Sequence, residues 1–173
     1  MTTYGSITEM GVNALVTPAT VTASVVGTTK TVLDSLALPA GILATVGRNL
    51  HMRASGLLTT SAVPVTYNVT VEYGSTVLCS TGVFTPTALL SNALWEMWCD
   101  LTSVAAGTVE AQGVFNFYST VATLNPQAMV NTATVAATIT GPVTPRIANT
   151  FGGNTVGNNI SIRTDLWEVG GLV

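Results

Sequence analysis

Short runs in which apolar and polar residues alternate recur along this chain of 173 residues. In the clearest run, apolar side chains occupy positions 65, 67, 69, 71 and 73, and polar ones lie between them. A period of two is typical of an antiparallel strand with one buried face and one wet face. Gly74 and Ser75 follow, and residues 76–79 resume the pattern. We therefore predict a β-hairpin with a tight turn at Gly74.

A second hairpin is predicted around residues 103–107, between two longer alternating runs. In the first run, positions 95, 97, 99 and 101 are apolar and share one face, and Trp98 lies on the other face. In the second run, positions 109 to 117 show the same alternation, with Val114 and Tyr118 on the opposite face. The apolar sets match in length, so the two strands are predicted to pair in one sheet. Trp98, Val114 and Tyr118 then fall on a face that is wet in a monomer.

Further strands are predicted at residues 20–26, 30–38, 48–55, 129–140 and 158–168. In the strand at 48–55, His51 and Arg53 share the polar face. In the last strand, Leu166 shares a face with the two isoleucines at 160 and 162, and Trp167 lies opposite. Turn residues predict breaks at Pro39, Pro86, Pro126, Pro142 and residues 152–154, and a helical turn is an option only at 87–93.

About eight strands at this spacing predict an all-β fold, a jelly-roll-like antiparallel β-sandwich. The chain length is typical of one domain. We expect residues 30–173 to form the jelly-roll domain. Residues 1–29 are less patterned and are predicted to form either an N-terminal arm or an edge strand.

Charged residues are scarce: five Lys and Arg and eight Asp and Glu make 8% of the chain, against about a quarter in an ordinary soluble domain. A surface covered by Thr, Asn, Ser and Gly favours contact with other protein subunits. The net charge of −3, with no basic cluster, gives no electrostatic basis for binding nucleic acid or an anionic membrane. No apolar run approaches the roughly 18 residues that span a bilayer. The first residues do not resemble a signal peptide, so we expect synthesis in a cytoplasm.

Cys79 and Cys99 each alternate with apolar neighbours in a predicted strand. Cysteines in a chain made in a cytoplasm are more often buried thiols than a bridge, so we expect both to act as small apolar core residues. His51 is the only histidine, and a thiolate metal site needs more ligands than these. We expect no metal and no cofactor.

Residues that support catalysis are few. Any Ser-His-Asp or Cys-His scheme must use His51, and the chain has neither a G-x-S-x-G elbow nor a phosphate loop followed by Lys. Glu96 and Asp100 share one strand face and Glu110 follows on the partner strand, a pattern that glycosidases and calcium sites also use. On a wet sheet face, acidic residues usually keep a protein soluble, and Arg53, Arg163 or Lys30 are candidates to pair with them. We predict that the protein is not an enzyme.

Exposed aromatic side chains suggest either a sugar-binding surface or a subunit interface. Because little charge keeps the outer face monomeric, we favour an interface. The candidate interface residues are Trp98, Tyr118, Trp167, His51 and Arg53.

Five segments carry a resemblance to a known family: LALPAGILATVGRNLHMRASG (36–56), VEYGSTVLCSTG (71–82), LSNALWEMWCDL (90–101), GTVEAQG (107–113) and NISIRTDLWE (159–168). Together they resemble a pattern common in tailed-bacteriophage virion proteins, in which an apolar strand leads through a Pro-Ala-Gly turn into a strand ending in Arg-Ala-Ser-Gly. The resemblance covers residues 30–169.

The resemblance implies a jelly-roll structural module that is commonly a trimer and lies on a capsid or at a fibre tip. We favour a capsid decoration (cement) protein, because a tail fibre is expected to add a coiled or β-helical shaft. The implied partners are two further copies of this chain and the major capsid protein, with no nucleic acid and no membrane. The implied location is the virion surface. Two alternatives stay open: a tail-fibre or receptor- or carbohydrate-binding module using the exposed aromatics, and a glycan hydrolase using Glu96 or Glu110.

Overall fold

The computed structural model describes residues 22–24, 28–35, 37, 40–41, 43–74, 76–120, 123–130, 135–136 and 144–170, without the side chains at 22–24, 130, 135–136 and 164–170. These ranges hold eleven strands: β1 (Thr22–Ser24), β2 (Thr31–Ser35), β3 (Asn49–Thr59), β4 (Tyr67–Tyr73), β5 (Thr76–Ser80), β6 (Ala93–Ala105), β7 (Thr108–Thr120), β8 (Thr123–Val130), β9 (Val135–Ala136), β10 (Pro145–Phe151) and β11 (Asn159–Gly170). None of the described segments is a helix long and apolar enough to cross a membrane.

The strands form two antiparallel sheets that pack face to face. The large sheet has seven strands in the order β1-β11-β3-β6-β7-β8, with β9 also paired to β7. The small sheet has four strands in the order β2-β10-β4-β5. The predicted all-β, jelly-roll-like antiparallel sandwich is confirmed, with eleven strands in the described ranges instead of about eight.

Both predicted hairpins are confirmed. The β4–β5 turn passes through Gly74 with φ 64°, and the β6–β7 turn passes through Gly107 with φ 73°. Glycine suits both turns because it adopts positive φ without a Cβ clash. The long β6–β7 hairpin forms the centre of the large sheet and fixes which side chains face outward.

A cluster of aromatic rings fills the space between the sheets. Trp95 and Phe115 of the large sheet stack with ring centroids 5.3 Å apart, and Tyr67 of the small sheet meets Phe151 edge-on at 4.8 Å. Trp95 is fully buried, and its Nε1–H donates a hydrogen bond to the carbonyl oxygen of Ser161 at 3.0 Å. The indole therefore crosses over β3 and joins β6 to β11.

Three expectations about local structure were wrong. β10 is a central strand of the small sheet that the alternation did not predict. Its residues Ile147, Ala148 and Asn149 are all buried, so no period of two is visible. Pro126 lies inside β8 instead of breaking a strand; proline is tolerated there because β8 ends the described strand order of its sheet. Residues 87–93 contain a turn and the start of β6, and no helix.

The predicted wet face of β4 is also wrong at two positions. Glu72 is fully buried and Thr70 is nearly so. Lys30 Nζ lies 2.7 Å from Glu72 Oε1, and Arg146 Nε lies 3.0 Å from Glu72 Oε2. Two cations thus balance one buried carboxylate, which explains how the charge is tolerated inside the protein. Lys30 pairs with Glu72 instead of with the acidic residues of β6 or β7.

At the N-terminal end of the described chain, β1 pairs with β11 and forms one edge of the large sheet. Most of the first 29 residues lie outside the described ranges, as do parts of the predicted strand at 129–140. The division of the chain at residue 30 therefore stays a prediction.

Candidate functional site

The outer face of the large sheet carries a row of side chains that crosses four strands and is apolar except at Arg53. The strand register places Arg53 of β3, Trp98 of β6, Val114 of β7 and Ala128 of β8 side by side. Trp98 is 41% exposed although it lies on a central strand. The alternation predicted this face, because the neighbours of Trp98 along β6 point into the core. We call the row of Arg53, Trp98, Val114 and Ala128 the Trp98 row.

A chain of polar contacts borders the Trp98 row. His51 Nδ1 hydrogen-bonds to Asp100 Oδ1, and Arg53 Nε donates to His51 Nε2 at 3.2 Å. Because Nε2 accepts from the guanidinium, Nδ1 is the nitrogen that donates to the carboxylate. Both imidazole nitrogens are therefore occupied, whereas a general base needs one nitrogen within reach of a substrate. The arrangement orients Arg53 and Asp100 along the edge of the row.

Glu96 lies far along the strands from the other two acidic residues of this face, Asp100 and Glu110. Glu96 and Asp100 are four residues apart on β6, about 13 Å at the usual rise of a strand. Glu110 pairs with Thr102, so it lies six residue rows from Glu96, roughly 20 Å away. Paired glycosidase carboxylates are about 5 to 9.5 Å apart, so Glu96 and Glu110 do not form such a pair. Among the described residues, no three His, Cys, Asp or Glu side chains converge on a possible metal position.

A pocket of about 510 Å³ opens at one end of the large sheet. Its lining has no formal charge and consists of Leu89, Leu90, Ser91, Asn92, Ala93, Leu94, Tyr118, Ser119 and Thr120. Tyr118 is half-buried, and Leu94 beside it is 48% exposed. Tyr118 lies four residues from Val114 along β7, about 13 Å from the Trp98 row. The pocket and the row are therefore separate features of one sheet.

The loop that borders this pocket has an unusual backbone. Leu89 and Asn92 have φ values of 58° and 51°, and they are the only residues other than glycine with positive φ among those described. Such a conformation costs roughly 1–2 kcal/mol per residue. The loop is held by hydrogen bonds from Leu90 N to Thr60 Oγ1 at 2.9 Å and from Asn92 N to Thr59 Oγ1 at 3.2 Å. Asn92 is the local sequence signal for this loop, since asparagine adopts positive φ more readily than most residues.

The structure brings together His51, Arg53 and Trp98 from the predicted interface residues, and it places Tyr118 at the pocket. Trp167 is different, because β11 has a β-bulge between Ile162 and Thr164. Beyond the bulge, Leu166 pairs with outward-facing Arg53, and Trp167 pairs with Met52. The side chain of Leu166 lies outside the described set, so its expected grouping with the isoleucines at 160 and 162 stays a prediction. The side chain of Trp167 lies outside the described set, so its place in an interface stays a prediction.

Comparisons with known proteins give structural likenesses only. No protein-family model matches the chain, and no curated protein matches its sequence. A seed lectin of Lotus tetragonolobus aligns with a TM-score of 0.49 and 8% identity, covering 100% of this chain and 96% of the lectin. An alginate lyase from Corynebacterium sp. aligns with a TM-score of 0.36 and 11% identity over 79% of this chain and 62% of the lyase. The CBM2 module of the evolved Dit protein of Lactobacillus casei BL23 phage J-1 aligns with a TM-score of 0.34 and 9% identity over 78% of this chain and 67% of the module.

Proposed function

We propose that this protein is a virion structural protein of the capsid-decoration type, which assembles as a homotrimer and binds between neighbouring major capsid subunits. The observation that carries the proposal is the exposed Trp98 row at the centre of the large sheet. A large aromatic residue with apolar neighbours in the middle of an open sheet face is typical of a protein interface. We place the contact between copies of this chain on the Trp98 row.

The charges around the row support a specific contact. Arg53, Asp100 and Glu96 surround Trp98 on β3 and β6. Fully buried aromatic anchors supply most of the energy of an interface, and charges at the rim fix its register. The low overall charge also favours association, because few charges need to be removed from water when copies associate.

We infer the capsid location and the trimeric state from the sequence motifs at 36–56, 71–82 and 90–101, which resemble tailed-phage virion proteins. A trimer with closed symmetry presents three equal contact surfaces to a capsid lattice. Its role is mechanical, since the contacts hold neighbouring capsid subunits together against the pressure of packaged DNA. The protein is made in the host cytoplasm and resides on the virion surface.

Light scattering on the purified protein tests the self-association. We expect a trimer, and we expect Trp98→Ala to weaken it by at least about 30-fold per contact, the value for a central aromatic anchor. Val83→Ala is the matched control, because Val83 is an exposed apolar residue that lies in a loop. Circular dichroism establishes that both variants fold. A wild-type protein that stays monomeric at high micromolar concentration, or a Trp98→Ala variant that assembles like wild type, overturns the proposed contact.

Binding to capsids tests the location. Phage particles that lack this chain should bind the purified wild-type protein at saturable sites and lose less DNA on heating once it is bound. Trp98→Ala should weaken capsid binding as well as self-association, because the variant loses the trimer that contacts the capsid subunits. Absence of saturable binding to such particles contradicts the assignment to the capsid, even if the protein is a trimer.

The second candidate function is recognition of a neutral carbohydrate in the pocket beside Tyr118. The uncharged lining combines an aromatic ring with amide and hydroxyl groups, which suits a sugar ring with its apolar face and its hydroxyls. A glycan array tests this function. Binding that Tyr118→Ala abolishes, with an affinity per pocket that Trp98→Ala leaves unchanged, supports the pocket, and an array without any bound glycan contradicts it.

A further inference from the structure

The two cysteines of the chain meet inside the sandwich although they belong to different sheets. Cys79 lies in β5 of the small sheet and Cys99 in β6 of the large sheet. Their Sγ atoms are 3.2 Å apart, and both are fully buried free thiols. The chain has no third cysteine. Each thiol therefore has one possible disulfide partner within the molecule.

The two sulfur atoms need to move only a short distance to form a bond. A disulfide has an S–S length of about 2.05 Å, so the two atoms must approach by about 1.2 Å. Rotation of the two side chains about their Cα–Cβ bonds changes the distance between the sulfur atoms. We propose that Cys79 and Cys99 become joined by a disulfide that links the two sheets when the protein meets an oxidising small-molecule disulfide.

The reaction balances as two successive thiol–disulfide exchanges. One cysteine thiolate attacks the small-molecule disulfide, which forms a mixed disulfide and releases one small thiolate that takes up the proton. The second cysteine then attacks the protein sulfur of the mixed disulfide and releases the second small thiol. The protein loses two electrons and two protons, and the small-molecule disulfide gains them.

Burial determines when this reaction occurs. The side-chain hydrogen bond with Cys79, together with burial, raises the pKa of the Cys99 thiol well above its usual value. The thiolate is the form that attacks a disulfide, so the folded protein reacts slowly and the bond forms during folding or transient opening. Once formed, the same burial shields it from reductants. Cys79 and Cys99 are therefore expected to stay as buried thiols in a reducing cytoplasm and to form the bridge once the protein is outside it.

Alkylation and thermal unfolding of the purified full-length chain test the proposal. The protein is refolded either with oxidised and reduced glutathione or with dithiothreitol, and iodoacetamide is then added in denaturant. We expect the glutathione-refolded sample to take up no alkyl group and to be two hydrogen masses lighter than the reduced chain before alkylation. The dithiothreitol-refolded sample should take up two alkyl groups. The cysteines are 20 positions apart, and closing a loop of this size should raise the melting temperature by about 6–12 °C.

Cys79→Ala and Cys99→Ala provide the control, because their melting temperatures should not depend on the redox conditions. If these variants do not fold, proteolytic mapping of the oxidised wild-type protein identifies the cross-linked peptides. Two alkyl groups on the glutathione-refolded protein, disulfide-linked dimers in place of the internal bond, or an oxidised form that melts no higher than the reduced form overturns the proposal. The result does not depend on whether the protein binds capsids or glycans.

Discussion

Substitution of Gly56 by alanine is expected to destabilise the fold far more than a Gly→Ala change in a strand usually does. Gly56 of β3 pairs with Trp95 on one side and Ile162 on the other. A Cβ atom at this position lies 1.8 Å from the carbonyl oxygen of Ser161 and 2.9 Å from Cε2 of Trp95. Neither contact can be accommodated, so the indole or the backbone of β11 must move.

The magnitude follows from what that movement disrupts. Overpacking a dense core costs about 1–3 kcal/mol. If the indole moves, its N–H loses the hydrogen bond to Ser161, and an unsatisfied buried donor costs about 1–3 kcal/mol. Alanine regains roughly 0.5–1 kcal/mol because it is less flexible than glycine in the unfolded chain. The free energy of unfolding should fall by about 1–5 kcal/mol, which urea titration followed by circular dichroism measures.

Two further variants separate the clash from other effects of the substitution. Gly82→Ala is the control, because Gly82 has φ +65° and nothing within 4 Å of a Cβ, so only about 1–2 kcal/mol of backbone strain applies. Trp95→Phe combined with Gly56→Ala should cost less than the sum of the two single changes by more than about 0.5 kcal/mol, since both act on one contact. A Gly56→Ala variant as stable as wild type, or no less stable than Gly82→Ala, refutes the reasoning.

Two more predictions concern buried polar groups of β4. Burial raises the pKa of the Tyr67 phenol above its usual value of about 10. The unfolded chain therefore releases this proton first, and the contribution of Tyr67 to stability should be constant below about pH 10 and fall above it by up to roughly 1.4 kcal/mol per pH unit. Tyr67→Phe should make that fall less steep in urea titrations at alkaline pH, and an unchanged slope contradicts the assignment. Glu72→Gln should lower the free energy of unfolding by about 1–3 kcal/mol, because it leaves Lys30 and Arg146 without their buried carboxylate. Lys30→Gln should cost less in the same urea titration, since the Lys30 side chain is 41% exposed, and an equal or larger cost contradicts this account.

The sequence predicted the parts of the fold in which one face is buried and the other is wet. Along β6 and β7, the alternation identified the core positions except Ser103, which was assigned to the turn, and placed Trp98 and Val114 outside. It did not predict β10, where both faces of the strand are buried and the fully buried Asn149 looks polar in sequence. A period of two exists only where the two faces differ in their contact with water.

The candidate site shows a second limit of sequence reasoning. A β-bulge adds one residue to a strand and moves every later side chain to the other face. The bulge in β11 follows Ile162 and changes the pairing of Leu166 and Trp167, and neither residue carries a local signal for it. The pocket was missed for a related reason. Its lining joins the loop at Leu89 to Tyr118 of β7, and these positions are distant in sequence.

The two proposed functions of the large sheet are compatible because they use different parts of it. The Trp98 row crosses the middle of β6 and β7, whereas Tyr118 and the pocket lie about 13 Å further along β7. A trimer that closes on the row can leave the pocket at the strand ends open to solvent. A module built in this way fixes itself through the centre of the sheet and presents three pockets at one end of the assembly. Substitutions at Trp98 should then reduce the number of pockets in one assembly without changing the glycan affinity of each pocket. A loss of avidity alone would show that Trp98 does not contact the glycan directly.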